Sequence, residues 1–380
     1  MFERNPFNTK GYAGPAYFCD REKETADLTK YLANGNNLAL ISPRRIGKTE
    51  LLHHVFGQQD IKEHFYTFII DIYATASLRD LVNVMGKEIL NTLKPKGRGA
   101  WEVFISAIHS LRQEITFDMN GNPTWSLGLG AISNPNVTLD EIFHYLNNAD
   151  KPCLVAIDEF QQIERYGAES KIVEATLRTY VQGCQNATFI FSGSHRHMMT
   201  GIFLSPNRPF YQSVIMMSLP PISIEKYKVF AQQKFNEAEK DLDLQVIDHL
   251  FEQFDSVTAY IHRTMNILYS NTPKGYTCKE DAIDDAISEL ITISSDSYES
   301  LYYQMPDKQR EVFLAIAMEG KAKSISGGAF IHKYRLHSSS SVLSAVKGLL
   351  EKDFITNENG TYWVYDQLFV LWLRQKGLIK

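Results

Sequence analysis

Short, unbroken apolar runs alternate along the first half of the chain with longer segments whose apolar residues recur every third or fourth position. Residues 37–41 (Asn-Leu-Ala-Leu-Ile) form one such run, which stops at Ser42-Pro43. From Gly47 onward, Leu51, Leu52 and Val55 keep helical spacing, so this stretch predicts strand, loop, helix. A second run at 65–72 carries Asp71 near its end, and a third at 153–157 stops at Asp158. A polar, helix-like stretch at 171–182 leads to a fourth run at 188–191, closed by Ser192-Gly193-Ser194. Short strands apolar on both faces, alternating with helices, predict an α/β class with a parallel sheet covered by helices. Residues 114–129 break the pattern: they alternate and contain Asn120-Gly121-Asn122-Pro123, which predicts a β-hairpin inserted on the surface near 114–130.

After Pro220-Pro221 the strand signal disappears, and residues 224–271 are polar with helical spacing. A further unit begins near Pro306. It reads as a helix at 307–318, a short helix at 329–334, and a third helix that starts at Ser338-Ser339-Ser340-Ser341 and carries Val342, Val346, Leu349 and Leu350. Serines are good N-cap residues. A hairpin follows, with Asn357-Glu358-Asn359-Gly360 as its turn. Three helices and a hairpin predict a winged helix. The expected organisation is an α/β core at 1–220, a helical lid at 221–305 and a winged-helix domain at 306–380. The apolar run Phe369-Val370-Leu371-Trp372-Leu373 needs a cover, either the α/β core or the winged helix itself.

A chain of 380 residues exceeds what one hydrophobic core organises, which agrees with several domains. With 44% hydrophobic and 22% charged residues it is a folded globular protein with no long disordered tract. The net charge of −5 argues against a chain dominated by non-specific nucleic-acid binding. Cys19, Cys153, Cys184 and Cys278 form no CxxC pair and read as reduced packing residues. The first residues carry charges and a proline where a signal peptide needs an apolar run, and no later stretch has the length of a membrane span. The expected location is cytoplasmic, with no membrane partner.

The chemistry concentrates at two places. Ser42-Pro43-Arg44-Arg45-Ile46-Gly47-Lys48-Thr49 matches the phosphate loop GxxxxGK[ST] at its catalytic end, between a strand and a helix as that loop requires. Backbone N–H groups around Gly47, with the positive helix end that begins at Lys48, Thr49 and Glu50, would cradle phosphates. Lys48 would reach the β and γ oxygens, and the Thr49 hydroxyl would hold magnesium. Ser42 stands where the motif has its first glycine, so it must accept whatever backbone angles the loop demands. The plain alternative is a Gly-Lys-Thr tripeptide at a helix start by chance. Against it stands Leu154-Val155-Ala156-Ile157-Asp158-Glu159, an apolar strand ending in two carboxylates about a hundred residues later. Asp158 would orient the magnesium shell, and Glu159 would act as general base on the attacking water. Taken alone, the acid pair could equally cap the next helix. Ser192 or Ser194, at the end of the neighbouring strand, could sense a γ-phosphate or merely cap a helix. Arg208 and Arg196 are candidates for stabilising transition-state charge, or ordinary surface arginines.

At these residues the sequence resembles the AAA+/STAND-type P-loop ATPases, specifically the family first described as predominantly archaeal ATPases. The resemblance is carried by Phe18-Cys19-Asp20-Arg21-Glu22, the loop 43–49, Ile157-Asp158-Glu159-Phe160-Gln161 and Val364-Tyr365-Asp366-Gln367-Leu368-Phe369. It implies that Phe18 and Arg21 lie against adenine, that Arg45 fills the loop's arginine position, and that a winged helix follows a helical lid. Members usually have glycine where this chain has Asp20 and Ser42, and many have a Gly-x-Pro turn where it has Ala259-Tyr260-Ile261-His262-Arg263.

The function expected is an ATP-binding and ATP-hydrolysing switch that uses ATP/ADP and Mg2+ and acts on an unknown protein partner or on itself. The alternative is a DNA-binding regulator with ATP as ligand. From 306 to 380 there are eleven Lys and Arg against seven Asp and Glu. The presumed recognition helix, 338–350, nevertheless carries only Lys347, fewer cations than a groove-reading helix usually presents.

Overall fold

The computed structural model describes residues 5–110, 115–119, 121–125 and 132–380. They form two compact units, one of residues 10–227 and one of residues 228–380 together with residues 5–9.

The first unit is built around a five-stranded parallel sheet. Its elements are α1 (Glu22–Ala33), β1 (Leu38–Ile41), α2 (Lys48–Phe56), α3 (Gln59–His64), β2 (Tyr66–Asp71), α4 (Leu78–Leu93), α5 (Arg98–Ala107), β3 (Ile115–Phe117), β4 (Pro123–Trp125), α6 (Pro135–Asn148), β5 (Cys153–Asp158), α7 (Ser170–Gly183), β6 (Ala187–Gly193), α8 (Arg196–Leu204) and β7 (Ile215–Ser218). The sheet order is β2-β5-β6-β1-β7. β1, β5 and β6 are buried at every position, as their unbroken apolar runs require. Alternate side chains feed two cores. Leu38, Leu40, Leu154, Ala156 and Ile190 pack with Leu51 of α2, and Ala39, Val155, Ile157, Phe189 and Phe191 pack under the helices of the other face. β7 lies at the sheet edge with Ile215, Met216 and Met217 half-buried and Ser218 exposed, and the sequence reading does not include it: four residues are too short a run to stand out. β3 and β4 pair antiparallel as the expected hairpin, and the rest of 114–130 lies outside the described residues.

The second unit takes in α9 (Ile224–Glu237) from Lys228 onward, then β8 (Asp241–Leu242), α10 (Gln245–Gln253), α11 (Thr258–Asn271), β9 (Thr277–Cys278) and α12 (Ile283–Gln304). It continues with α13 (Asp307–Glu319), β10 (Ala322–Lys323), α14 (Gly328–Lys333), α15 (Ser339–Glu351), β11 (Ile355–Glu358), β12 (Thr361–Val364) and α16 (Gln367–Gln375). α13 to β12 form a winged helix with a β10-β12-β11 sheet, and the Ser338 hydroxyl caps α15. The apolar run 369–373 lies on α16 and is covered inside this unit. Phe369 stacks on Tyr298 of α12 at 4.8 Å and meets Phe313 at 5.1 Å, while Trp372 Nε1 donates to Ser295 Oγ at 3.0 Å. Asp366 holds the helix start, accepting from the amides of Leu368 and Phe369 and from the Tyr260 hydroxyl.

Residues 5–9 reach this unit through one aromatic anchor. Phe7 is fully buried among Phe230, Phe235, His262 and Tyr269, at 5.5–5.9 Å between ring centres. Asn5 Nδ2 donates to the Asn266 carbonyl and Asn266 Nδ2 donates to the Phe7 carbonyl, each at 2.7 Å. Burial pushes the His262 imidazole down to about 4, so this pocket stays uncharged at neutral pH. Phe7→Ala empties the pocket and is expected to cost about 3–5 kcal/mol of stability. A urea denaturation curve checks this, and an unchanged midpoint would contradict the packing.

Candidate active site

The parallel strands end along one edge of the sheet, and the residues singled out in the sequence follow the ends of β1, β5 and β6. Asp71 of β2 pairs in register with Asp158 of β5, and Ile41 of β1 pairs with Gly193 of β6. In an open parallel sheet this edge is where ligands bind.

The loop after β1 runs from Ser42 to Gly47 and opens α2. Gly47 has φ 97°, the left-handed region that favours glycine, and no side chain caps the N–H groups that begin α2. Those amides and the helix dipole make a seat for an anion. Arg45 also has a positive φ, of 66°, and is exposed beside the exposed Pro43. Ser42 does not have one: its backbone is open to any residue, so the missing first glycine brings no strain. Its N–H donates to the Gly193 carbonyl at 3.3 Å, and its own carbonyl accepts from Lys48 Nζ at 3.4 Å. Lys48 is only 6% exposed. Burial pushes its ammonium down, and Glu159 and Asp158 push back.

Thr49 Oγ1 donates to Asp158 Oδ2 at 2.6 Å, joining the first turn of α2 to the end of β5. The other oxygen of Asp158 accepts the Glu159 amide at 3.0 Å. A hydroxyl beside a buried carboxylate is a hard-oxygen donor pair of the kind magnesium takes, so the residues present fit that ion. Glu159 follows in a left-handed conformation, φ 56°, at the start of a 3₁₀ turn over Phe160–Arg165. The turn is pinned by Phe160, which is fully buried against Phe191, Phe203 and Phe210. Asp71 adds a third carboxyl to this edge. Burial holds it above the usual carboxylate range and Asp158 and Glu159 push the same way, against a hydrogen bond from the Tyr73 amide.

The two serines separate. Ser192 is fully buried within β6, and its hydroxyl has no hydrogen-bond partner. Ser194 is the one brought to the acids: its Oγ donates to Glu159 Oε2 at 2.7 Å and accepts from Arg44 Nε at 3.1 Å. Gln161, which the sequence marked only as part of a family signature, touches both Glu159 and Ser194.

The remaining candidates make contacts of their own. Arg21 was expected against adenine, yet its guanidinium is 2% exposed, donates to the Ile46 carbonyl at 3.3 Å and pairs with Glu24. It supports the phosphate loop from behind. Phe18 stacks on His54 of α2 at 4.2 Å, and His54 Nδ1 also meets the Tyr12 hydroxyl at 2.9 Å. Asp20 holds φ 61°, which accounts for the glycine usual there. Its carboxylate accepts from the Ser223 amide at 2.9 Å and pairs with Lys226. Arg208 is not a free cation for the reaction, because its guanidinium pairs with Glu164 and with Glu174, whose side chain is 0% exposed. Burial holds the Glu174 carboxyl above its usual range despite that partner.

Residues 18–263 match the family described as an ATPase domain predominantly from Archaea. The chain belongs to that ATPase family. Residues 296–375 match a family described as a probable winged helix domain. Among solved structures, the ATPase is similar to the Walker-type ATPase PABY2304 of Pyrococcus abyssi, with TM-score 0.66 and 18% identity over 97% of this chain and 99% of that one. The ORC1 protein of Aeropyrum pernix in complex with DNA gives TM-score 0.55 at 12% identity, covering 97% and 95%. The ORC2 protein of the same organism, in its ADPNP-ADP complexes, gives 0.53 at 12%, covering 99% and 98%. At these identities the likeness is one of fold. No curated protein matches the sequence. Among the described residues no helix is long and apolar enough to cross a membrane.

Removing the Arg208 charge strands Glu174 in the interior. Arg208→Ala is therefore expected to lower stability by about 3–5 kcal/mol. Chemical denaturation measures this; a variant as stable as the parent but slower in ATP turnover would return Arg208 to the catalytic candidates.

Proposed function

We propose that the ATPase binds ATP with magnesium in the loop 42–50 and hydrolyses it, and that the nucleotide state drives a conformational switch. The observation that carries the reading is the Thr49–Asp158 contact, which joins an uncapped helix N-terminus to a strand end that also bears Glu159. The loop amides and Lys48 bind the phosphates. Thr49 and Asp158 would hold magnesium, which supplies charge neutralisation at the β and γ oxygens. Glu159 accepts the proton of the attacking water, and Ser194, rather than the enclosed Ser192, is the polar group placed to respond to a γ-phosphate. Phe18 lies on the adenine side. In this reading residues 1–220 are the catalytic core, 221–305 the lid and 306–380 the winged helix that carries the signal to a protein partner or a second copy.

A second reading, DNA binding through the winged helix, draws on that fold and on the ORC1 structure solved with DNA. Against it, Lys347 of α15 lies 3.9 Å from Glu351, so the one cation of that helix is partly neutralised. DNA affinity measured against salt separates the two readings. A steep fall with salt supports DNA as partner, and no measurable affinity supports a protein.

Lys48→Ala should abolish binding of magnesium-ATP while the protein stays folded, as read by calorimetric titration and circular dichroism. Binding at the parent's affinity would refute the loop assignment. Glu159→Gln should bind ATP normally while turnover falls by about two to four orders of magnitude. Turnover at the parent rate would move the base elsewhere.

A further inference from the structure

We propose that Gln161 is a positioning residue for Glu159, fixing which carboxylate oxygen faces the attacking water. The proposal rests on the reading of Glu159 as general base. Gln161 is 4% exposed, in the turn that follows Glu159. Its Oε1 accepts the Ser194 backbone N–H at 3.3 Å. A backbone amide can only donate, so this contact orients the carboxamide and turns its NH2 group toward Glu159 and the Ser194 hydroxyl. Nε2 donates to Glu159 Oε2 and, at 3.3 Å, to Ser194 Oγ.

The Ser194 hydroxyl closes the ring. It has one hydrogen and two lone pairs. The hydrogen goes to Glu159 Oε2 at 2.7 Å, and the lone pairs accept from Gln161 and from Arg44 Nε at 3.1 Å. Oε2 of Glu159 thus takes two donors, while Oε1 carries no hydrogen bond among the described residues and is the oxygen left to accept a proton. Two further features support the arrangement. Glu159 sits at φ 56°, a conformation a non-glycine residue keeps only where its surroundings hold it. Gly193 leaves room for the carboxamide and for the Met199 side chain, since a Cβ there would lie 2.6 Å from Gln161 Oε1 and closer still to the Met199 sulfur. Through Arg44 the ring also reaches the phosphate loop, so a phosphate that draws Arg44 away removes one of the three hydrogen bonds of the Ser194 hydroxyl.

The test compares Gln161→Met, which nearly keeps volume but loses both polar ends, in the parent and in Glu159→Gln. Gln161→Met should lower kcat by about 10- to 100-fold with the Kd for ATP unchanged, and should cause no further loss in the Glu159→Gln background. Ser194→Ala, a smaller change, should lower kcat in the same way, and the double variant with Gln161→Met should lose no more than the worse single one. An unchanged kcat, a Kd that weakens in step with kcat, or an equal further loss in the Glu159→Gln background would each overturn the proposal and leave Gln161 a packing residue. Parent turnover in Glu159→Gln itself would instead overturn the reading of the base.

Discussion

The hydrogen bond from Thr49 to Asp158 ties together two parts of the chain that the sequence separates by 109 positions. Everything else in the site follows from how each end is held. Asp158 is 4% exposed at the end of a strand buried at every position, so it cannot move without disturbing the sheet. Thr49 lies in the first turn of α2, and α2 is fixed by Leu51, Leu52 and Val55 against the face of that sheet. A carboxylate in such a place needs donors. It has one from the Thr49 hydroxyl and one from the Glu159 amide, and the conformation that supplies the second puts the Glu159 side chain beside Ser194.

The acids would repel if they stood alone. Asp71, Asp158 and Glu159 converge on one edge, and the buried Lys48 offsets the charge of Glu159 and Asp158. In the proposed function a magnesium ion and a nucleotide would bring balancing charges of both signs, a physical reason for three carboxyls and a partly desolvated lysine to share this edge. Arg21 and Arg208 do other work. Each lies outside this charge cluster and is matched to its own acid, Glu24 in one case and Glu164 with Glu174 in the other.

Much of this was legible in the sequence because the relevant signals are local. The strands β1, β5 and β6 are unbroken apolar runs, and Gly47-Lys48-Thr49 and Asp158-Glu159 stand directly at their helix start and strand end. What could not be read depends on contacts between distant residues or on backbone angles. Gln161 gains its role from Ser194, 33 residues later. Phe7 packs against residues more than 220 positions away, with no periodicity to announce it. Ser42 and Asp20 both replace a customary glycine, yet only Asp20 occupies a left-handed conformation, a difference invisible in residue types. In the sequence Arg208 is a candidate for stabilising transition-state charge or an ordinary surface arginine, and its pairing with the buried Glu174 of α7 depends on a residue 34 positions away.

We propose that Thr49 and Asp158 together form the seat of a metal ion at a nucleotide site. Calorimetric titration of ATP with and without magnesium, on the parent and on Asp158→Asn, tests it most directly. Magnesium is expected to tighten ATP binding to the parent by about tenfold or more and to leave the affinity of Asp158→Asn nearly unchanged. An equal magnesium effect on both proteins would contradict it.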